Sequence, residues 1–402
     1  MFGFNRKQGL VFLAIVLLAA PLLACSVPVF RYALERWPSD PYVAVVFHRG
    51  PLTAEQQKVV DALGREGLAG VKFANVAVQT VDLDAKDVAA PLQDIWKPHE
   101  KEELPRIVLR YPHQTRIALD AWSGSLSMES AKAIIDSPVR SEIAQRIVKG
   151  DSAVFLFLES GDKEKDEARF EVLTDEVQKQ QETLKLPEID PADVAQGNIT
   201  GDPDALKIRF SIMRLSREAE DEQLFVNMLL GTEEDLHELS DEPMVFPIFG
   251  RGRALYAIVG KGINEDVVAT AGADLTGPCT CTVKDQNPGV DLLMALDWES
   301  VIEPIDDGKE PVVPTLTGLT GFGPEKTENV DPSADGAASD APQPDAPAPD
   351  EVVVEATPAA SGDAEVAPTS SPFGLSKILI IALAALLVIG MGGMFAVSRS
   401  KG

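Results

Sequence analysis

The sequence predicts an α/β body built from two similar units, each with a mixed sheet. Three pairs of segments carry that prediction. "PYVAVVFHRGPLTAEQQKVVDAL" (41–63) and "SAVFLFLESGDKEKDEARFEVL" (152–173) share an apolar strand, a short polar turn and an amphipathic helix with an acidic start. "NVAVQTVDLD" (75–84) and "LKIRFSIMRLS" (206–216) are alternating strands, each leading to a helix, "AKDVAAPLQDIW" and "EDEQLFVNMLL". "ELPRIVLRYPHQTRIALDAWSG" (103–124) matches "EPMVFPIFGRGRALYAIVGKG" (242–262): an acidic residue, a proline, a strand, a tight turn, a second strand, then glycine. A helix closes each copy, "SMESAKAIIDS" in the first and "INEDVVATAGADL" in the second, so each unit reads β-α-β-α-β-β-α. Alternation that ends in a hairpin implies a parallel core with an antiparallel edge, covered by helices.

The two ends place this body. Residues 1–24 have basic Arg6 and Lys7, the apolar run "LVFLAIVLLAAPLLA" and small residues before Cys25, the order of a secretory signal peptide. Residues 375–397 contain "ILIIALAALLVIGMGGMFAV", an uncharged stretch long enough to span a bilayer, and Arg399 and Lys401 follow in a tail of 398–402. The expected topology is a single-pass protein of the cell membrane, with the body periplasmic or extracytoplasmic and the C-terminus cytoplasmic. The first unit is assigned to 25–150 and the second, with its Cys-x-Cys loop, to 151–304. Residues 305–374, rich in Ala, Pro, Asp and Glu, read as a disordered linker, because they carry too little apolar surface to offset their ordering entropy. A net charge of -27 with no basic cluster argues against nucleic acid, which leaves the membrane and other proteins as expected partners.

Pro105 and Pro243 each stand just before the penultimate strand of their unit. In this β-α-β-α-β-β-α setting the two units resemble the thioredoxin fold, over about residues 40 to 300. The resemblance implies a cis-proline at those two positions. It also implies a redox Cys-x-x-Cys between first strand and first helix, where a helix N-terminus lowers the attacking thiol's pKa. Those places read "FHRGPLT" (47–53) and "LESGDKEK" (158–165), without cysteine, and His48, Arg49, Ser160 and Asp162 supply no evident substitute. "CSVPVFRYALERWPSDPY" together with "GPCTC" and "QNPGVDLLM" also resembles an uncharacterised set of exported, C-terminally anchored membrane proteins from planctomycete-type bacteria, a resemblance that implies no activity.

The three cysteines are Cys25, Cys279 and Cys281, the last two in "GPCTCTVKDQNPG" (277–289). On a helix, i and i+2 lie about 200° apart, and a disulfide between them in a turn would be tight and readily reduced. Cys25 is the alternative partner. It is also a lipidation candidate, since "LLAC" (22–25) fits a lipobox, although "VPVFRYALERW" follows at once instead of a polar tether. The three thiols, with Met294, would suit a soft ion such as Cu(I), but no histidine lies near; a structural brace ranks ahead of metal, and no cofactor is expected. Asp82, Asp84 and Asp87 could ligate a hard cation or cap a helix. "FGRGRALY" (249–256) reads as a hairpin turn rather than a phosphate loop. The expected function is a redox-inactive binding or scaffold module in a membrane-associated assembly, more in keeping with a non-enzyme; the alternative is a thiol-disulfide or copper-handling protein acting through Cys279 and Cys281.

Overall fold

The computed structural model describes residues 25–64, 74–279, 282–302 and 304. The expected signal peptide, linker, membrane helix and tail, and Cys281, lie outside the described residues. Among the described residues no helix is long and apolar enough to cross a membrane.

An N-terminal helix, α1 (Val29–Arg36), precedes the first sheet. That sheet is built from β1 (Tyr42–His48), β2 (Val76–Asp82), β3 (Arg106–Arg110) and β4 (Asp120–Ser125), in the order β2-β1-β3-β4. β1 and β2 are parallel, and the other two pairings are antiparallel. Between strands lie α2 (Ala54–Leu63) and α3 (Ala90–Trp96), followed by α4 (Met128–Ile135) and α5 (Pro138–Val148). The second sheet holds β5 (Ala153–Leu158), β6 (Phe210–Leu215), β7 (Met244–Phe249), β8 (Arg253–Ala254), β9 (Ile258–Val259) and β10 (Val290–Asp291). Its order is β10-β8-β7-β5-β6 with β9 on β7, again parallel for the first two strands of the unit (β5 and β6) and antiparallel elsewhere. Its helices are α6 (Lys163–Thr183), the short α7 (Pro191–Ala195), α8 (Gln223–Leu230), α9 (Glu265–Thr276) and the terminal turn α10 (Trp298–Val301). The body is therefore α/β with mixed sheets.

Local signals account for most boundaries. Thr53 opens α2 with a capping box to Gln56, and Ser127, Ser137, Asp162 and Asn264 cap α4, α5, α6 and α9 with their side chains. α3 starts at Ala90, later than "AKDVAAPLQDIW" suggests. Pro91 fits its first turn, and Asp82 before it serves a loop instead of capping. α6 runs 21 residues, beyond the matched segment, because Leu173 and Val177 stay buried along α9. There the helices come so close that a Cβ on Gly272 would meet Gln180 Oε1 at 1.6 Å. The β7–β8 turn needs glycine, since Gly250 and Gly252 have φ of +56° and +90°.

The central strands are apolar on both faces, as two-sided coverage requires. In β5, Val154, Leu156 and Leu158 face one core, while Ala153, Phe155 and Phe157 face another. The first core is shared by both sheets: it joins Ala44 and Val46 of β1 to Phe246 and Ile248 of β7, through α4, α5 and α8. Val45, Phe47 and Trp96 form a smaller cluster on the far side of the first sheet. Each fully buried Val, Leu, Ile, Phe or Met of this shared layer contributes about 1.5–3 kcal/mol.

The two units also exchange their ends. Residues 25–37, grouped by sequence with the first unit, pack into the second: Val27, Phe30, Tyr32, Ala33 and Trp37 share a core with Phe155, Phe157 and Leu275. Conversely, residues 291–295 return to the first unit. Tyr42 Oη donates to Asp291 O at 3.0 Å, Asn75 Nδ2 to Leu292 O, and the Met294 amide to Asn75 Oδ1. No pattern of apolar residues along one segment reveals which neighbour it will join, so chain order alone groups residues 25–37 with the first unit.

Candidate functional site: the arm clasp and the loops at the strand ends

The N-terminal arm reaches "GPCTC" by backbone pairing. The Val29 amide donates to Gly277 O at 3.0 Å and the Cys279 amide to Val27 O at 2.8 Å, around an antiparallel Pro28–Pro278 bridge. This brings Cys25 and Cys279 into one buried cluster, at 5% and 0% exposure. Cys25 is not in a disulfide. Ser26 donates its amide (2.8 Å) and hydroxyl (2.5 Å) to Asp193 Oδ2, and Asn198 holds the other oxygen at 2.7 Å.

Burial pushes the Cys25 thiol up, and the Asp193 carboxylate adds to the shift. The sulfur is thus a protonated thiol at neutral pH, the reverse of an activated redox cysteine. A thioether-linked diacylglycerol on that sulfur would have to leave the cluster in which it is buried. Burial acts upward on Asp193 as well, but the hydrogen bonds from Ser26 and Asn198 outweigh it and leave its pKa lowered. A carboxylate with a depressed folded pKa contributes stability that is fully present above its unfolded pKa of about 3.9 and is lost as pH falls through the folded value. Arm release, read as proteolytic cleavage within 25–37, is therefore expected to rise below about pH 4. In Asp193→Asn it is expected already at pH 7.

Met294 does not join the cysteines. It packs in the core shared by the two sheets, against Gly252. Among the described residues no group of three or more His, Cys, Asp or Glu could hold a metal ion.

A buried charge network that no sequence pattern announces locks the same loop. Asp291 Oδ1 accepts from Arg253 Nη1 at 2.8 Å, and its other oxygen accepts from the Asp40 amide and from Lys284, which also pairs with Asp40 at 2.9 Å. Arg253 further donates to Pro288 O and Asn287 O, and its guanidinium lies 5.9 Å over the Trp37 ring. Trp37 Nε1 donates to Thr282 O. Two acids, an arginine and a lysine thus compensate one another between arm, hairpin and loop.

The other sequence candidates sit at the strand ends. Among the described residues Leu104–Pro105 is the cis peptide bond, while Pro243, at the matching place, follows a trans bond. Gly260, with φ +50°, packs beside that second site against the Glu242 side chain. After β1, His48 Nδ1 lies 2.7 Å from Gly50 O, and Asp82 Oδ1 accepts from the Gly50 and Asp84 amides. Arg49 pairs with Asp84 at 2.6 Å. After β5, Asp166 accepts from the Ser160 amide (2.8 Å) and hydroxyl (2.7 Å) and from the Gly161 amide, while Asp162 caps α6. Lys165 bridges to Glu242 at 2.9 Å, and Arg217 donates to Glu159 O and Glu242 O. Asp82 and Ser160 thus spend their hydrogen bonds in closing loops, Asp84 pairs with Arg49, Asp162 caps α6, and Asp87 is exposed.

One cavity of about 470 Å³ lies elsewhere, where α1, the end of α5, the segment before β6 and the last described residues meet. No family model, no curated protein and no solved structure matches the chain.

Proposed function

We propose that the protein is a membrane-anchored extracytoplasmic binding or scaffold protein. In this reading its two units are thioredoxin-like but redox-inactive, and it works with protein partners in a membrane-associated assembly. The observation that carries the reading is the state of the two loops after the first strands. Both lack cysteine, and both are closed on themselves, by Asp82 in the first unit and Asp166 in the second. The strand order supports the thioredoxin-like part: in each sheet a parallel pair is followed by antiparallel strands, and Pro105 lies in cis just before β3. The competing thiol or copper role would use Cys279, which lies at 0% exposure behind the arm. Purified full-length chain in neutral-lipid nanodiscs is expected to carry no stoichiometric copper. It is also expected to show no reversible thiol couple on titration between oxidised and reduced glutathione. Copper at one per chain, or a couple that disappears in Cys279→Ser, would replace the scaffold reading by the thiol one.

A further inference from the structure

We propose that the cavity beside α1 binds a small organic carboxylate with an apolar body, a role independent of the scaffold reading. Its volume of about 470 Å³ falls within the range of small-molecule sites, about 300–1,000 Å³. Phe30, Leu34, Ile147, Leu206 and Val301 supply apolar walls. The charged lining is out of keeping with the chain. Where the whole sequence has 36 basic and 63 acidic residues, the cavity's lining presents Arg31, Lys207 and Arg209 against Asp151, its one acidic residue among the described residues.

The two guanidiniums are held in place, Arg31 by Glu35 at 2.6 Å and Arg209 by Asp151 at 2.9 Å. Lys207 is exposed at the rim, with only its carbonyl engaged, by Ser152 Oγ. It makes no ion pair among the described residues, so the described lining carries a net positive charge for an anionic head. A carboxylate beside these cations, its hydrocarbon on the apolar walls, satisfies both halves of the lining. A neutral apolar molecule would leave the charge unused.

Octanoate is the probe. Equilibrium dialysis of labelled octanoate against the full-length chain in phosphatidylcholine nanodiscs, with empty nanodiscs subtracted, is expected to give one saturable site per chain. Lys207→Glu replaces an exposed side chain and leaves the fold alone. It is expected to weaken octanoate binding by at least about tenfold at low salt, less as salt screens the rim. Octan-1-ol is expected to bind at least about tenfold more weakly than octanoate, because it forfeits the charge. Three results would overturn the proposal: no saturable binding, equal binding of octan-1-ol, or no effect of Lys207→Glu. A fourth is octanoate binding that tightens about tenfold when Asp306 and Asp307, two and three residues beyond the cavity-lining Pro304 in sequence, become Asn. That outcome makes the chain's own acidic segment the occupant.

Discussion

Asp291→Ala is expected to cost about 3–5 kcal/mol of folding stability, the range for removing one partner of a buried charge pair. Asp291 is 4% exposed by side chain and balances Arg253 at 8% and Lys284 at 11%. Without it, two cations stay buried with only Asp40 between them, and the Asp40 amide loses its acceptor. Burial already raises the Asp40 pKa, with the Lys284 hydrogen bond opposing, so Asp40 is poorly placed to carry both cations. The loss should appear as a lower denaturant midpoint with an unchanged slope. A change below about 1 kcal/mol would mean that the network contributes as little as an exposed salt bridge.

Trp37→Ala is expected to cost about 3–5 kcal/mol, as for other buried aromatic truncations. Trp37 meets Tyr32 edge-on at 6.2 Å, lies under Arg253 and donates to Thr282 O. The consequence of the exchanged ends is in the shape of the transition. The arm belongs to the second unit's core and the returning strap to the core shared by both sheets, so loss at Trp37 should lower one cooperative transition for both units. Intrinsic fluorescence and far-ultraviolet circular dichroism are expected to lose signal together. Separate transitions, with only the second unit weakened, would show that the straps do not couple the units.

Much of this architecture was legible in the sequence, because the repeats put strand and helix periodicity in the same order twice. β1 and β5 read as apolar strands, each followed by a polar turn and an amphipathic helix with an acidic start. Two kinds of feature were not legible. The exchange of ends depends on which surface a segment finds after the chain has turned back, and "VPVFRYALERW" shows only that it wants burial. The Asp40–Lys284–Asp291–Arg253 network joins residues up to 251 positions apart, each of which alone looks like an ordinary solvated charge. At the cysteines, Cys25 does come back to "GPCTC", but it does so through a backbone clasp and a shared core. Asp82, Asp84 and Asp87 suggest a cation or a cap, whereas Asp82 closes the loop after β1, Asp84 pairs with Arg49 and Asp87 is exposed, uses that no spacing distinguishes.

The most direct test is insulin reduction by the full-length chain in neutral-lipid nanodiscs, with dithiothreitol as electron donor. Precipitation no faster than with dithiothreitol alone is expected, at the same rate for Cys279→Ser. Acceleration by the wild-type chain that vanishes in Cys279→Ser would contradict the redox-inactive reading.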